Sequence, residues 1–448
     1  MSTPDLSLPR DARLAAGKRL RDACPRERHA ELALPPGRDA RAILAATDTT
    51  RLQNLVPERY RRMAASPFAF FRGAAAVMAA DLAGAAKAGI AVQACGDCHI
   101  GNFGVARSPE GSLLFDINDF DETLPGVDFT VDLKRLCASV ALAVLENPDA
   151  TADEARHAAL GAAHAYRKRM GELALLSPFE IWCLRMEVAD LVSHIDDADL
   201  RGTVDGFVGK SDTDDARNFQ KLDPANAARS PAHWRIADKP PAIFHLPAGA
   251  SGPETLRAEA VFSGYLQSLP AERRPLLTRY GLADVVFKMV GVGSVGTFCA
   301  LGLFTTPDGA TLFLQIKEAG TSCLAALTGS DLFANHGGER VVQGQRLMQS
   351  APDLFLGWTT EPTTGRQFYV RHLKNKHLGE IAPLIQGHAL GPYGRLCGGT
   401  LARAHARTAD AATLSGYMGQ SDTFETALAE FAMRYAEVTK RDWGRLVV

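Results

Sequence analysis

The 448-residue sequence lacks an excess of positive charge: 49 Lys and Arg stand against 51 Asp and Glu, a formal net charge of -2. Sequence-independent binding to nucleic acid or anionic lipid draws on such an excess, so neither partner is expected. Long apolar runs are also missing. The most apolar stretch, about residues 74–94, is rich in alanine and interrupted by Asp81 and Lys87, which excludes it as a membrane span. The opening MSTPDLSLPRDARLAAGKRLRDA has no apolar core followed by a small-residue cleavage site, so a cytoplasmic location is expected. Paired cysteines are scarce. Apart from Cys95 and Cys98, the eight Cys stand singly, which suits reduced thiols in a chain large enough not to need staples. Internal repeats and low-complexity tracts are absent too. What is present is 46% hydrophobic side chains over a long chain, enough for one large core and for two lobes.

Helical and strand patterns alternate in blocks. Residues 10–90 carry apolar spacings of three and four, broken at Pro57 and Pro67, and predict several helices. Short apolar runs at 90–93, 103–106 and 113–118 predict strands, the last two forming a hairpin closed by SPEG. Helical spacing returns over 131–194, and the polar stretch 199–248 predicts a long connection. Residues 284–290, 297–304, 311–319 and 366–372 predict a second strand-rich region. At the end, Phe424, Leu428, Phe431, Tyr435 and Val438 fall on one helix face. Such blocks predict an α+β fold.

Chemistry concentrates in two places. CGDCHIGNFGV sets Asp97 and Asn102 five apart, the D-x-x-x-x-N spacing of a phosphotransferase loop in which Asp accepts the substrate hydroxyl proton and Asn binds a metal. After the hairpin, LLFDINDFDET brings carboxylates to a strand end, where one or two of them can hold Mg²⁺ against phosphate oxygens. Asp119 is the first choice. Asp116 is the second, and on an extended strand the two face opposite ways. A polar hairpin rim is the alternative to both.

The second place is VGVGSVGT, where Gly291, Gly293 and Gly296 form G-x-G-x-x-G around Ser294. Glycines let backbone N–H groups approach phosphate oxygens. A dinucleotide fold requires a helix next, whereas TFCALGLF and LFLQIKEA read as a strand hairpin, which predicts a phosphate-covering loop between strands. Lys317 in the second strand stands where a kinase keeps the lysine that contacts the α and β phosphates; an exposed strand lysine is the alternative. In GGERVVQGQRLMQS, Glu339 is either the acid that partners Lys317 or a solvated acid favoured at a helix start. Arg72 in SPFAFFRG either clamps phosphate or pairs with a carboxylate. Cys95, Cys98 and His99 spell the C-x-x-C-H of haem attachment without an export signal, and as zinc ligands they lack a fourth partner nearby. Ser294 is not a hydrolase elbow, because Val292 stands where that motif needs glycine.

Together SPFAFFRG, GDCHIGNFG, FDINDFDE, GVGSVGT, LQIKEA and GQRLMQ resemble an uncharacterised bacterial family, described as a domain of unknown function, that is similar to aminoglycoside phosphotransferases and choline kinases. Those kinases read roughly H-G-D-x-x-x-x-N and then I-D-F-D. Gly96, Asp97, Asn102, Asp119, Phe120 and Asp121 match, while Cys95 replaces the histidine. In the kinases the glycine loop and lysine come first, then a helix ending Leu-Ala-x-x-His, then the catalytic loop. Here Leu401, Ala402 and His405 supply that helix after Lys317, so the resemblance implies a circular permutation.

The resemblance thus implies a two-lobed protein-kinase-like α+β fold. Residues 1–89 and 90–200 would form a mainly helical catalytic lobe, 201–280 a connection, 281–380 a smaller antiparallel-sheet nucleotide lobe, and 381–448 helices returning to the catalytic lobe. ATP would lie under Gly291, Gly293, Ser294 and Gly296 with Lys317 on its phosphates. Asp97 would be the base, Asn102 and Asp119 would hold Mg²⁺, and Glu339 would orient Lys317. The acceptor, a small molecule or a protein hydroxyl, is not specified. Nucleotidyl transfer from a reversed ATP and nucleotide binding without turnover are the alternatives. Either way, Lys317 and Asp119 are expected to meet across one cleft, with residues 401–405 packed beside the catalytic loop.

Overall fold

Prolines that read as breaks in the first part of the chain start helices instead. In the computed structural model the described residues are 6–194, 197–211, 222–245, 258–289, 293, 295–328, 335–373, 385 and 387–447. The chain opens with α1 (Arg10–Ala23), α2 (Ala40–Asp48), α3 (Val56–Met63), α4 (Pro67–Gly73) and α5 (Ala75–Asp81). Pro57 and Pro67 sit in the first turns of α3 and α4, where a missing N–H costs no helical hydrogen bond.

Four short strands follow: β1 (Ala91–Ala94), β2 (Phe103–Arg107), β3 (Leu113–Ile117) and β4 (Leu124–Asp128). The expected β2–β3 hairpin pairs Phe103 with Ile117 and Arg107 with Leu113. β4 pairs antiparallel with β1 and has no strand signature, since LPGVD contains both a proline and a glycine. Next come α6 (Thr130–Val144), α7 (Ala152–Leu173), α8 (Pro178–Cys183), α9 (Val188–His194) and α10 (Ala198–Ser211). α10 occupies the start of the stretch that reads as a connection.

After β5 (Ile243–Phe244), α11 (Ala258–Ser268) and α12 (Arg274–Leu277), the chain forms β6 (Gly281–Lys288), β7 (Cys299–Thr305) and β8 (Thr311–Glu318). Then follow α13 (Ala325–Thr328), α14 (Gly337–Met348), β9 (Gly357–Thr360) and β10 (Gln367–His372). The last part is helical: α15 (Leu390–Ala406), α16 (Ala411–Met418) and α17 (Thr423–Val447).

The fold is mixed α+β with antiparallel sheets. The largest sheet runs β5-β6-β7-β8-β10-β9 and has its own apolar core, built from residues such as Phe287, Phe304, Leu314 and Phe368. A larger core gathers α6, α7, α15 and α17 around β1–β4 and reaches α14. Phe424, Leu428, Phe431, Tyr435 and Val438 are all buried, as their spacing predicts. Among the described residues no helix is long and apolar enough to cross a membrane.

Candidate functional site

β1 delivers the chain into residues 95–102, a loop held in shape by one buried carboxylate. Asp132, in the first turn of α6, accepts from Cys95 N at 2.7 Å and Gly96 N at 3.0 Å, and His405 Nε2 of α15 lies 3.2 Å from it. Gly96 adopts φ +91°, and a Cβ there would stand 2.3 Å from Glu122 O, so only glycine fits. Asp97 Oδ1 accepts from Arg135 Nε at 2.6 Å, while 18% of the Asp97 side chain stays exposed. Burial lifts the Asp97 carboxyl above the usual range, and the charges of Arg135 and Arg72 oppose the lift. Asn102 Nδ2 donates to Asp97 O at 2.7 Å, and Asn102 O accepts from Asn118 N at 2.8 Å, which ties the loop to the end of β3.

The two carboxylates weighed for a metal have different surroundings. Asp116 is engaged on both oxygens: Oδ2 accepts from Ser350 N and Oγ at 2.9 Å each, and Oδ1 from Ile117 N at 2.9 Å and from buried Arg403 of α15. It works as a structural anchor. β3 ends at Ile117, so strand alternation does not extend to Asp119, which instead opens a turn in which its Oδ1 accepts from Asp121 N at 3.0 Å. Burial and the charge of Asp121 lift the Asp119 carboxyl, opposed by Lys317 and Arg371.

On the sheet side, the register sets Lys317 of β8 between Cys299 of β7 and Tyr369 of β10. Lys317 makes an ion pair with Asp121, whose other oxygen accepts from Tyr369 Oη at 2.8 Å. Against a burial that would raise it, Lys317 and then Tyr369 hold the Asp121 carboxyl below its usual range. Lys317 itself is held above its usual range, because Asp121, Tyr369 and Asp119 outweigh its burial. The partner of Lys317 is therefore Asp121, where the sequence pointed to Glu339. Glu339 lies in the first turn of α14, its backbone N–H bonded to the capping His336 Nδ1 at 3.0 Å. Its neighbour Arg340 faces the site, donating to Asp121 O at 2.8 Å and to Thr123 O. Arg371 donates to Asn118 O at 3.2 Å and to Gln315 Oε1 at 2.9 Å.

Of the glycine motif, Gly291 and Ser294 lie outside the described residues. Gly296 takes φ +86°, and its carbonyl accepts from Leu52 N at 2.8 Å. A Cβ on Gly293 would stand 3.0 Å from Arg72 O, and Arg51 Nη1 donates to Val295 O at 2.6 Å. Gly293 and Val295 thus lie on the segment that carries Arg51 and Arg72. Residues 401–405 pack as expected: Arg403 reaches Asp116, His405 reaches Asp132, and Gln93 N of β1 donates to Thr408 Oγ1 at 3.1 Å.

The thiols of C-x-x-C-H belong to the core. Cys95 and Cys98 are buried, and burial pushes both thiols up, which keeps them protonated and poor ligands for a soft metal. His99 Nδ1 accepts from Gly101 N at 3.1 Å, and burial with the charges of Arg72 and Arg135 holds the imidazole neutral. Among the described residues no group of three or more His, Cys, Asp and Glu could hold a metal ion. Asn102 and Asp119 are hard oxygen donors, and Mg²⁺ typically takes one or two carboxylates and completes its shell with substrate phosphates and water. That donor set fits Mg²⁺ bound together with a nucleotide.

A family model described as an uncharacterized protein conserved in bacteria (DUF2252) matches residues 51–448. No curated protein and no solved structure matches the chain.

Proposed function

The chain belongs to this bacterial family, and from the geometry of its site we propose an ATP- and Mg²⁺-dependent phosphotransferase acting on a hydroxyl of a small molecule or protein. One observation carries the reading. Buried Lys317 and partly exposed Asp121, 196 residues apart, meet in an ion pair, and this brings the strand beside the glycine loop against the D-x-x-x-x-N loop and Asp119. A glycine loop between β6 and β7, a lysine on β8 and a following helix, α14, are the parts a kinase uses to cover and neutralise phosphates. The contacts of α15 with Asp116 and Asp132 support a permuted kinase-like order, with residues 390–406 doing the work of the helix that usually precedes the catalytic loop.

The chain's own residues divide the work. Arg135 fixes Asp97 Oδ1, and Oδ2 takes the acceptor hydroxyl proton as the acceptor oxygen bonds to the γ phosphorus and the bond to the ADP oxygen breaks. Lys317 moves from Asp121 onto the α and β phosphates, and Asp121 and Tyr369 steer its ammonium. Mg²⁺ on Asn102 and Asp119 would supply charge neutralisation between phosphate oxygens. Arg371, half-buried and donating to two neutral oxygens, adds positive potential behind Lys317.

The test is incubation of the full chain with γ-labelled Mg-ATP and a fractionated lysate. Labelled acceptor and ADP are expected, and Asp97→Asn should slow transfer by about 10²–10⁴-fold with ATP affinity unchanged. Pyrophosphate release would instead support nucleotidyl transfer, tight binding without transfer would support a sensor, and absence of nucleotide binding would end all three readings.

A further inference from the structure

We infer that Arg72 touches the transferred phosphoryl group, a role that rests on the phosphotransferase reading above. Three placements converge on this residue. A methyl built on Gly101 would stand 3.4 Å from Arg72 Nε, so the guanidinium lies against the residue preceding Asn102. A methyl on Gly293 would meet Arg72 O at 3.0 Å, so the same residue lies against this glycine of the motif. After burial, the charges of Arg135 and Arg72 act on the Asp97 carboxyl, and those of Arg72 and Arg135 on His99. Arg72 therefore stands where the base, the residue before Asn102 and Gly293 meet, which is where the γ phosphoryl must lie if Asp97 is to deprotonate its attacker.

The backbone at Arg72 is fixed from both sides. Phe71 O accepts from Arg135 Nη2 at 3.0 Å and Gly73 O from Arg59 Nη2 at 3.0 Å, while a methyl on Gly73 would collide with Met63 Cγ at 2.6 Å. A guanidinium on such a support is aimed before the nucleotide arrives. Its planar fork can bond two equatorial phosphate oxygens as the bond to ADP lengthens, and no bond to Arg72 itself forms or breaks.

ADP lacks the group Arg72 would touch, so binding alone tests the assignment without a known acceptor. Dissociation constants of Mg-ATP and Mg-ADP are measured by calorimetry for the full chain, Arg72→Ala and Arg72→Lys, with melting curves to confirm folding. Arg72→Ala should weaken Mg-ATP by roughly ten- to a hundredfold and leave Mg-ADP within about twofold. Arg72→Lys, which keeps charge and loses the fork, should fall between. Equal weakening of both nucleotides, or of neither, overturns the role of Arg72 while leaving the phosphotransferase reading in place. An unaltered chain that binds neither nucleotide overturns the phosphotransferase reading itself, and the role of Arg72 with it. If Arg72→Ala does not fold, the Arg72→Lys ratio decides: an unchanged preference for ATP over ADP overturns the assignment.

Discussion

Single side chains in this molecule are readable by what occupies their oxygens and nitrogens. Asp116 and Asp119 are three residues apart, yet the first has both oxygens bonded to Ser350, Ile117 and Arg403 while the second opens a turn beside Lys317 and Arg371. Asp116→Ala should thus cost about 3–5 kcal/mol in a denaturant melt, because Arg403 is left charged and buried. Asp119→Ala should melt nearly as the unaltered chain does and raise the Mg²⁺ needed for half-maximal ATP binding by roughly tenfold or more. The reverse pattern would exchange the two roles. His29 gives a pH-dependent expectation of a different kind. It is fully buried with Tyr417 Oη 2.6 Å from Nε2, and burial, with Lys134 and Arg28 beside it, lowers its pKa to about 3. The unfolded chain takes the proton near pH 6.5 and the folded chain only near 3, so the stability from neutral His29 is present above 6.5 and lost as pH falls through that window. Against His29→Gln, the unaltered chain should lose about 1.4 kcal/mol more per pH unit below 6. Equal slopes would mean that His29 is protonated in place.

Elements were legible where one periodicity ran unbroken, and hidden where a tertiary partner overrode it. β2, β3, β6, β7, β8, α14 and α17 follow their apolar spacing. β4 exists because β1 lends it a ladder, and β9, four residues beginning with Gly357, because β10 does. The local motifs around Asp97, Asn102 and Lys317 were legible for the same reason, each being contiguous in sequence. Asp121, Tyr369 and Arg135 were not: Asp121 sits in the D-F-D that the sequence displays, but its bond to Lys317 spans 196 residues and nothing local announces it. Close helix packing carries a related signal in glycine. On α15 a Cβ at Gly398 would stand 2.2 Å from Ala162 O of α7, so these helices touch backbone to backbone. Gly398→Ala should push them apart and cost about 1–3 kcal/mol, measured as a lowered denaturant midpoint. Full stability in that variant would show that α7 and α15 sit farther apart.

At the scale of the whole molecule, the large sheet and the α14 segment are joined to the β1–β4 region by polar contacts that gather on residues 116–123, with a cluster on 121–123. Lys317 and Tyr369 reach the Asp121 carboxylate, Ser322 Oγ donates to Glu122 O at 2.7 Å, Cys323 N to Glu122 Oε2 at 2.7 Å, and Arg340 to Thr123 O. The turn after Asp119 is therefore both the rim of the strand end proposed to hold Mg²⁺ and the seam between the two cores. An ion pair at such a seam, buried on the lysine side, has a signature that separates bridging from mere proximity. Removing one partner leaves the other charge without its pair, so Asp121→Asn, which strands buried Lys317, should destabilise the chain by about 3 kcal/mol or more, and Lys317→Met, which leaves partly exposed Asp121, should cost less. Removing both strands nothing, so the double variant should lose less than the sum of the singles, with a coupling of about 1–3 kcal/mol. Nucleotide supplies the second readout. Mg-ATP at a hundredfold excess over its dissociation constant should stabilise the unaltered chain by about 2.7 kcal/mol, and both variants lacking Lys317 should lose that gain. Additive destabilisation in the cycle would mean that the seam is held by Glu122 and Arg340, while a Mg-ATP gain that survives without Lys317 would remove the lysine from the phosphate site.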